Sequence, residues 1–337
     1  MTNLTFARGG VLATALLAIG RDAVGQNIVP RSHRANASAA AAHRAPPLGP
    51  NALVYIKDGN VWLLDVDAEG KRQLTTDGGY RSPSLSADGT VGVVHSAGER
   101  TEFIRMNPAG QLLSRFSQPA SLNTIVTAKL SPDGQTFAFT YQAGEAGDKC
   151  FEPGSSGRYE CFKLAFTPAD RWKPEEGTTQ IRYARVDIKH VQWLDDDHLF
   201  LNLPDRWVIY YTRSTRDEKY FDTYDEAKVW YKLGEAALSR DGRVMAAGRR
   251  WYEPDYNHPD SSKYGEWELA IYRRDGDDFR FATDLTVATS GVALSPSFSR
   301  DGSALAFADD DGVYVVLIEA KKVGLLEKNA RQPTWRP

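Results

Sequence analysis

The chain has 337 residues, with 41 basic against 44 acidic side chains for a net charge of -3, and 42% of it is hydrophobic, including eight tryptophans. A balance this close to neutral lacks the basic footprint of a nucleic-acid binder, so no nucleic-acid partner is expected. The apolar content suffices for a folded core, and the length alone would suggest about two domains.

Residues 1–25 read as a secretory signal. Arg8 is the one charge before the apolar run from Val11 to Ile19, and Ala23-Val24-Gly25 supplies small residues for cleavage. The run is too short for a membrane span, which needs about 20 apolar residues. A secreted or periplasmic location is therefore expected. The competing reading is an organelle transit peptide, because Arg8, Arg21, Arg31, Arg34 and Arg44 accompany a single acid, Asp22. Residues 26–50 are rich in Ala, Arg and Pro without apolar periodicity, the composition of a disordered linker. The folded domain is expected over 51–337. It opens on three short strands, Leu53–Ile56, Asn60–Val66 and Lys71–Thr75.

From there one unit recurs: an apolar residue, a tight turn of the form Ser-x-Asp-Gly, and a short apolar strand. Copies stand at Leu85 to Gly89, Leu130-Ser131-Pro132-Asp133-Gly134, Leu238-Ser239-Arg240-Asp241-Gly242 and Phe298-Ser299-Arg300-Asp301-Gly302. A weaker copy runs Trp193-Leu194-Asp195-Asp196-Asp197, and half a copy ends at Trp335. Asp and Gly suit such turns because Gly takes positive φ freely and Asp bonds its own backbone. The markers Leu85, Leu130, Trp193, Leu238, Phe298 and Trp335 are 45, 63, 45, 60 and 37 residues apart. A period near 40–45 is that of propeller blades of four strands, and the two long steps each carry an insertion. The first three strands lack an inner partner, which the half copy at Trp335 can supply. The expected fold is thus an all-β, six-bladed β-propeller of four-stranded antiparallel blades. Its carboxyl-terminal strand pairs with the amino-terminal blade, which removes free sheet edges.

These Ser-Pro/Arg-Asp-Gly units resemble the repeat of TolB-type six-bladed propellers, most closely at Ser131-Pro132-Asp133-Gly134. The resemblance covers Ala52 to Pro337 and implies a fold rather than a function. The residues ahead of Ala52 are too few for the additional amino-terminal α/β domain that TolB carries. Prolyl oligopeptidases also carry propellers, but their Gly-x-Ser-x-Gly elbow is missing here.

Asp65-Val66-Asp67-Ala68-Glu69-Gly70 begins like a calcium loop, yet Thr76 stands where the bidentate Glu belongs, so a turn is expected. No metal site and no cofactor is expected, although carboxylates from several blades could still share a channel cation. Cys150 and Cys161, both in the first insertion, are expected to form a disulfide in an exported chain. Two free thiols, or half a metal site, are the alternatives. His95, His190 and His198 fall in or beside strands, as packed or surface histidines do.

The second insertion reads differently. Trp251, Tyr252, Glu253, Asp255, Tyr256 and His258 alternate aromatic rings with acids and a histidine in a Pro/Asn-containing stretch. Strand alternation puts both insertions, about 142–178 and 250–265, on the face opposite the Asp-Gly turns. The aromatic segment from Lys219 to Tyr231, with Trp230 and Tyr231, ends on that same face. The expected function is that of a non-catalytic binding propeller, a monomer, holding a protein or small ligand (carbohydrate or peptide) on this decorated rim. The alternative is a propeller enzyme, a lyase, hydrolase or isomerase, with Glu253, Asp255 or His258 as acid or base. No catalytic residue is assigned, because all three stand on one short segment, whereas catalytic groups draw on separate rigid elements.

Overall fold

The computed structural model describes residues 48–68, 70–98, 100–118, 125–142, 162–176, 190–202, 207–212, 219–221, 230–253, 263–276, 278–282, 287–289 and 294–337. Every regular element among them is a strand, and the strands form six antiparallel sheets. The first sheet contains β1 (Ala52–Lys57), β2 (Asn60–Asp65) and β3 (Gly70–Gln73). The second contains β4 (Tyr80–Leu85), β5 (Val91–Ala97), β6 (Arg100–Met106) and β7 (Leu112–Ser117). The third contains β8 (Ile125–Leu130), β9 (Thr136–Gln142), β10 (Phe162–Pro168) and β11 (Glu175–Glu176). The fourth contains β12 (Val191–Trp193), β13 (His198–Asn202), β14 (Trp207–Tyr211) and β15 (Lys219–Phe221). The fifth contains β16 (Trp230–Leu238), β17 (Val244–Glu253), β19 (Glu268–Asp275) and β20 (Asp278–Phe281), with β18 (Lys263–Tyr264) beside β17 and β21 (Val287–Ala288) beside β19. The sixth contains β22 (Leu294–Phe298), β23 (Ala304–Ala308), β24 (Gly312–Leu317) and β25 (Lys322–Lys328).

The last strand, β26 (Ala330–Trp335), joins the first sheet as its inner strand. It runs antiparallel to β1 with Leu53 opposite Trp335 and Val54 opposite Thr334. The ring is therefore a six-bladed propeller closed by its carboxyl-terminal strand, as the half repeat implies. Several contacts hold that closure. Trp335 is 4% exposed and packs with Leu53, Tyr55, Ala306 and Val315 between the last blade and the first. The Arg336 guanidinium donates to the carbonyls of Leu48 at 2.6 Å and Gly49 at 3.0 Å, and its Nε donates to Ala87 at 3.1 Å. Glu327 on β25 pairs with both Lys57 and Lys71 of the first blade. Leu48 packs in the core cluster that holds Val54, Leu85 and Met106.

Each turn is built the same way by local chemistry. Ser131 Oγ donates to Asp133 at 2.5 Å and accepts from the Thr136 amide at 3.0 Å, while Gly134 takes φ of 74°. Ser239 with Asp241 and Ser299 with Asp301 repeat the bond at 2.7 and 2.8 Å. In the weak copy Asp195 takes over, accepting from the amides of Asp197 and His198. Asp65 is used likewise: it accepts from the Gly49 and Ala68 amides, the turn expected there.

Blades pack face to face through apolar layers, since each sheet must cover both its faces. One layer joins Phe103, Phe137 and Phe139 with Trp172. Gly92 on β5 sets how closely two blades approach here. A Cβ there would lie 2.6 Å from the Leu130 Cβ and 3.0 Å from Phe137. Gly92→Ala is therefore expected to overpack the layer and destabilise by about 1–3 kcal/mol, read by denaturant unfolding. A variant as stable as the wild type would mean that the blades can part without cost.

Two stretches read as loops are partly strand. Within the first insertion, β10 and β11 are the third and fourth strands of their blade. In the second, β17 continues through Trp251, Tyr252 and Glu253, whose pairing with β16 and β18 satisfies the backbone that a loop would leave to solvent. Lys219–Phe221, read as connection, is the outer strand of the fourth blade.

Candidate functional site

Two places stand out, one at each end of the ring. The first is the end of the fifth blade away from the Asp-Gly turns. There β16 starts and β17 ends, so register brings the expected rim residues together: Trp230 lies opposite Tyr252 and Tyr231 opposite Trp251. Glu253 pairs with Lys263 on β18. Trp251 is 43% exposed and Tyr264 is 48% exposed, large values for aromatic side chains. The Trp251 indole lies over Gly265, where an added Cβ would come 2.1 Å from Nε1. The neighbouring Arg250 stacks on Tyr264 at 4.2 Å and on Trp267 at 4.9 Å. Deeper in the blade Arg249 is buried, bonded to Glu268 at 2.5 Å and stacked 3.6 Å over Phe281. Asp255, Tyr256 and His258, like Cys150 and Cys161, lie outside the described residues.

The second place is the axial channel, which the sequence suggested only as a place for a cation shared by carboxylates. Six inner strands line it, so equivalent positions of the repeat form rings. The residue just before each marker gives Ser84, Lys129, Gln192, Ala237, Ser297 and Thr334. Several of these fasten neighbouring blades. Ser84 Oγ accepts from the Leu130 amide at 2.9 Å, Gln192 both accepts from and donates to Leu238, and Ser297 Oγ accepts from the Trp335 amide at 3.0 Å. Lys129 does something else. Its ammonium reaches across the channel to the Pro83 carbonyl at 2.9 Å and Thr334 Oγ1 at 3.1 Å, and the residue is 7% exposed.

Two residues further from the marker lie His190 and Glu235 on adjacent blades. Glu235 Oε2 accepts from the Ser295 amide and hydroxyl and stands 3.6 Å from His190 Nδ1. Burial pushes the Lys129 ammonium down to about 8, with Glu235 opposing. His190 is pushed down to about 3 by burial first and by the charge of Lys129 second. The imidazole is therefore neutral near pH 7. Above this cluster a cavity of about 70 Å³ opens at the end carrying the Asp-Gly turns, bounded by Pro132, Arg240, Arg300 and Pro337. The sequence signal for this site was a lysine, a histidine and a glutamate on inner strands, where the repeat elsewhere places small or amide side chains.

Among the described residues no group of three His, Cys, Asp or Glu is placed to hold a metal ion, and no helix is long and apolar enough to cross a membrane.

No protein-family model matches the chain, and no curated protein matches it. Solved structures do resemble it. TolB from Acinetobacter baumannii is 15% identical with a TM-score of 0.57, over 85% of this chain and 67% of that one. A chain of a nidogen/laminin complex is 8% identical with a TM-score of 0.54, over 85% of this chain and 98% of that one. A protein from Lactobacillus plantarum is 12% identical with a TM-score of 0.50, over 83% and 98% of the two chains. With its six closed blades and these likenesses, the chain has the fold of a TolB-like β-propeller.

Proposed function

We propose that this protein is an exported, non-catalytic binding propeller that holds a protein or a small ligand, a carbohydrate or peptide, on the rim opposite the Asp-Gly turns. The observation that carries the reading is the exposure of Trp251 and Tyr264 on a strand pair extended past the body of its blade. Aromatic rings left in water form an apolar patch, and such patches mark interaction sites. Trp and Tyr also give contact area at low entropic cost, and a few of them dominate most interfaces. Strand register sets the backbone of Trp230, Tyr231, Tyr252 and Glu253 beside that of Trp251 and Tyr264, and Asp255, Tyr256 and His258 follow Glu253 in the sequence.

Trp251→Ala should lower affinity for the ligand by more than about 1 kcal/mol, roughly fivefold, while the melting temperature stays near the wild-type value. Gly265→Ala provides an independent check, because the added methyl must displace the Trp251 ring without deleting it. Ligands found on glycan and peptide arrays with the wild type would be titrated against both variants by calorimetry. Equal affinities in all three proteins would place recognition elsewhere.

A further inference from the structure

The channel cavity has a charge pattern that the rim reading leaves unused. Its lining includes Lys129, Arg240, Arg300 and the last residue, Pro337, whose terminal carboxylate is the one acidic group it contributes, with no aspartate or glutamate side chain. Arg240 and Arg300 occupy the same position of the Ser-Arg-Asp-Gly turn in adjacent blades, so they stand side by side at the mouth. Both are exposed, and neither has a hydrogen-bond or ion-pair partner among the described residues. Lys129 lies deeper, and its described partners are a carbonyl and a hydroxyl, both uncharged. No carboxylate comes within 4.0 Å of its Nζ among the described residues. Glu235 is engaged one layer further in, by Ser295. An ammonium taken out of water is costly unless an opposite charge meets it. Among the described residues the Glu235 carboxylate acts on Lys129 only at longer range, with no ion pair between them, and open volume stands beside the ammonium.

We propose that this cavity binds a small oxyanion, the carboxylate or the phosphate group of a ligand, with Lys129 as the buried counter-charge and Arg240 and Arg300 as the pair at the entrance. A volume of about 70 Å³ exceeds the roughly 30 Å³ share of one water, so a group of this size fits. Guanidinium groups present a planar fork of donors that matches carboxylate and phosphate oxygens. The site is separate from the rim: it lies at the other end of the channel, and its residues come from different repeat positions.

The test uses the whole protein with sodium acetate and inorganic phosphate as probes, and sodium chloride at matched ionic strength as the reference. Calorimetry and melting temperature are read for the wild type, for the double variant Arg240→Gln/Arg300→Gln, and for Lys129→Met. The wild type should respond saturably to at least one oxyanion beyond its response to chloride. Response to acetate alone assigns a carboxylate ligand, and response to phosphate alone a phosphoryl ligand. The double variant alters exposed side chains, so it should keep its melting temperature without anion and lose about tenfold in affinity, the worth of one charge-assisted hydrogen bond. Lys129→Met should weaken binding at least as much. Should that variant not fold, the double variant decides by itself. The proposal is overturned if neither oxyanion acts beyond chloride, or if the double variant binds as tightly as the wild type. Trp251→Ala should leave this anion response intact, which separates the two sites.

Discussion

Removing residues 331–337 should destroy cooperative unfolding of the propeller at the wild-type temperature. The deletion takes out nearly all of β26 and with it the inner strand of the first blade. It also removes Arg336, whose guanidinium ties Leu48, Gly49 and Ala87 to the end of the chain. The edge of β1 would then lie open, an invitation to aggregate. Trp335→Ala is the milder form of the same experiment. Loss of a buried Trp costs about 3–5 kcal/mol, a large share of the 5–15 kcal/mol that holds a typical domain. Trp335→Phe should cost much less than Trp335→Ala. The Trp335 Nε1 is buried with no hydrogen-bond partner, so the Phe variant removes an unsatisfied donor together with part of the ring. Thermal and denaturant melts of the three variants would decide. A truncated protein that melts like the wild type would refute the closure.

Lys129→Met is expected to change the pH dependence of stability more than stability itself. The folded state depresses the lysine from 10.5 to about 8, chiefly through burial. Between those values the unfolded chain binds more protons than the folded one, so stability rises with pH across that window. The gain is absent below about pH 8, where lysine is charged in both states, and complete above 10.5. The gap corresponds to about 3 kcal/mol, an order-of-magnitude figure. The Met variant lacks this slope, so the difference between the two proteins should shift by about that amount between pH 8 and 10.5. Near pH 7 the Met protein should be as stable as the wild type or more so, since apolar replacement of a buried charge is often neutral or favourable. The two oxygens left behind remain bonded to each other, Thr334 Oγ1 donating to the Pro83 carbonyl at 2.9 Å. Guanidinium titrations of both proteins over this range are the measurement. Parallel curves would mean that Lys129 is solvated in the folded state.

The blade count, the turn chemistry and the closure could be read from the residues because each depends on short-range rules. Ser131, Asp133 and Gly134 build their turn from bonds that span two to five residues. Copies of that turn recur at blade spacing, and Trp335 marks the one left incomplete at the end. Alternation of strand direction also sufficed to put Trp230 and Tyr231 at the same end as Trp251 and Tyr252, where the register pairs them. How far β17 runs was less legible. Trp251 to Glu253 are held as strand by partners on β16 and β18, and no pattern within those three residues announces such partners.

The channel cluster belongs wholly to the tertiary fold. Lys129 meets Pro83 and Thr334 across 46 and 205 residues of sequence, and Glu235 meets Ser295 across 60. In the chain these are a lysine, a histidine and a glutamate in or beside strands, of which His190 alone draws a reading, as a packed or surface residue. Closing six blades into a ring turns one repeat position into a circle of side chains around an axis. Only there does the desolvation of Lys129 appear, because a buried charge is defined by everything that surrounds it and not by its neighbours along the chain.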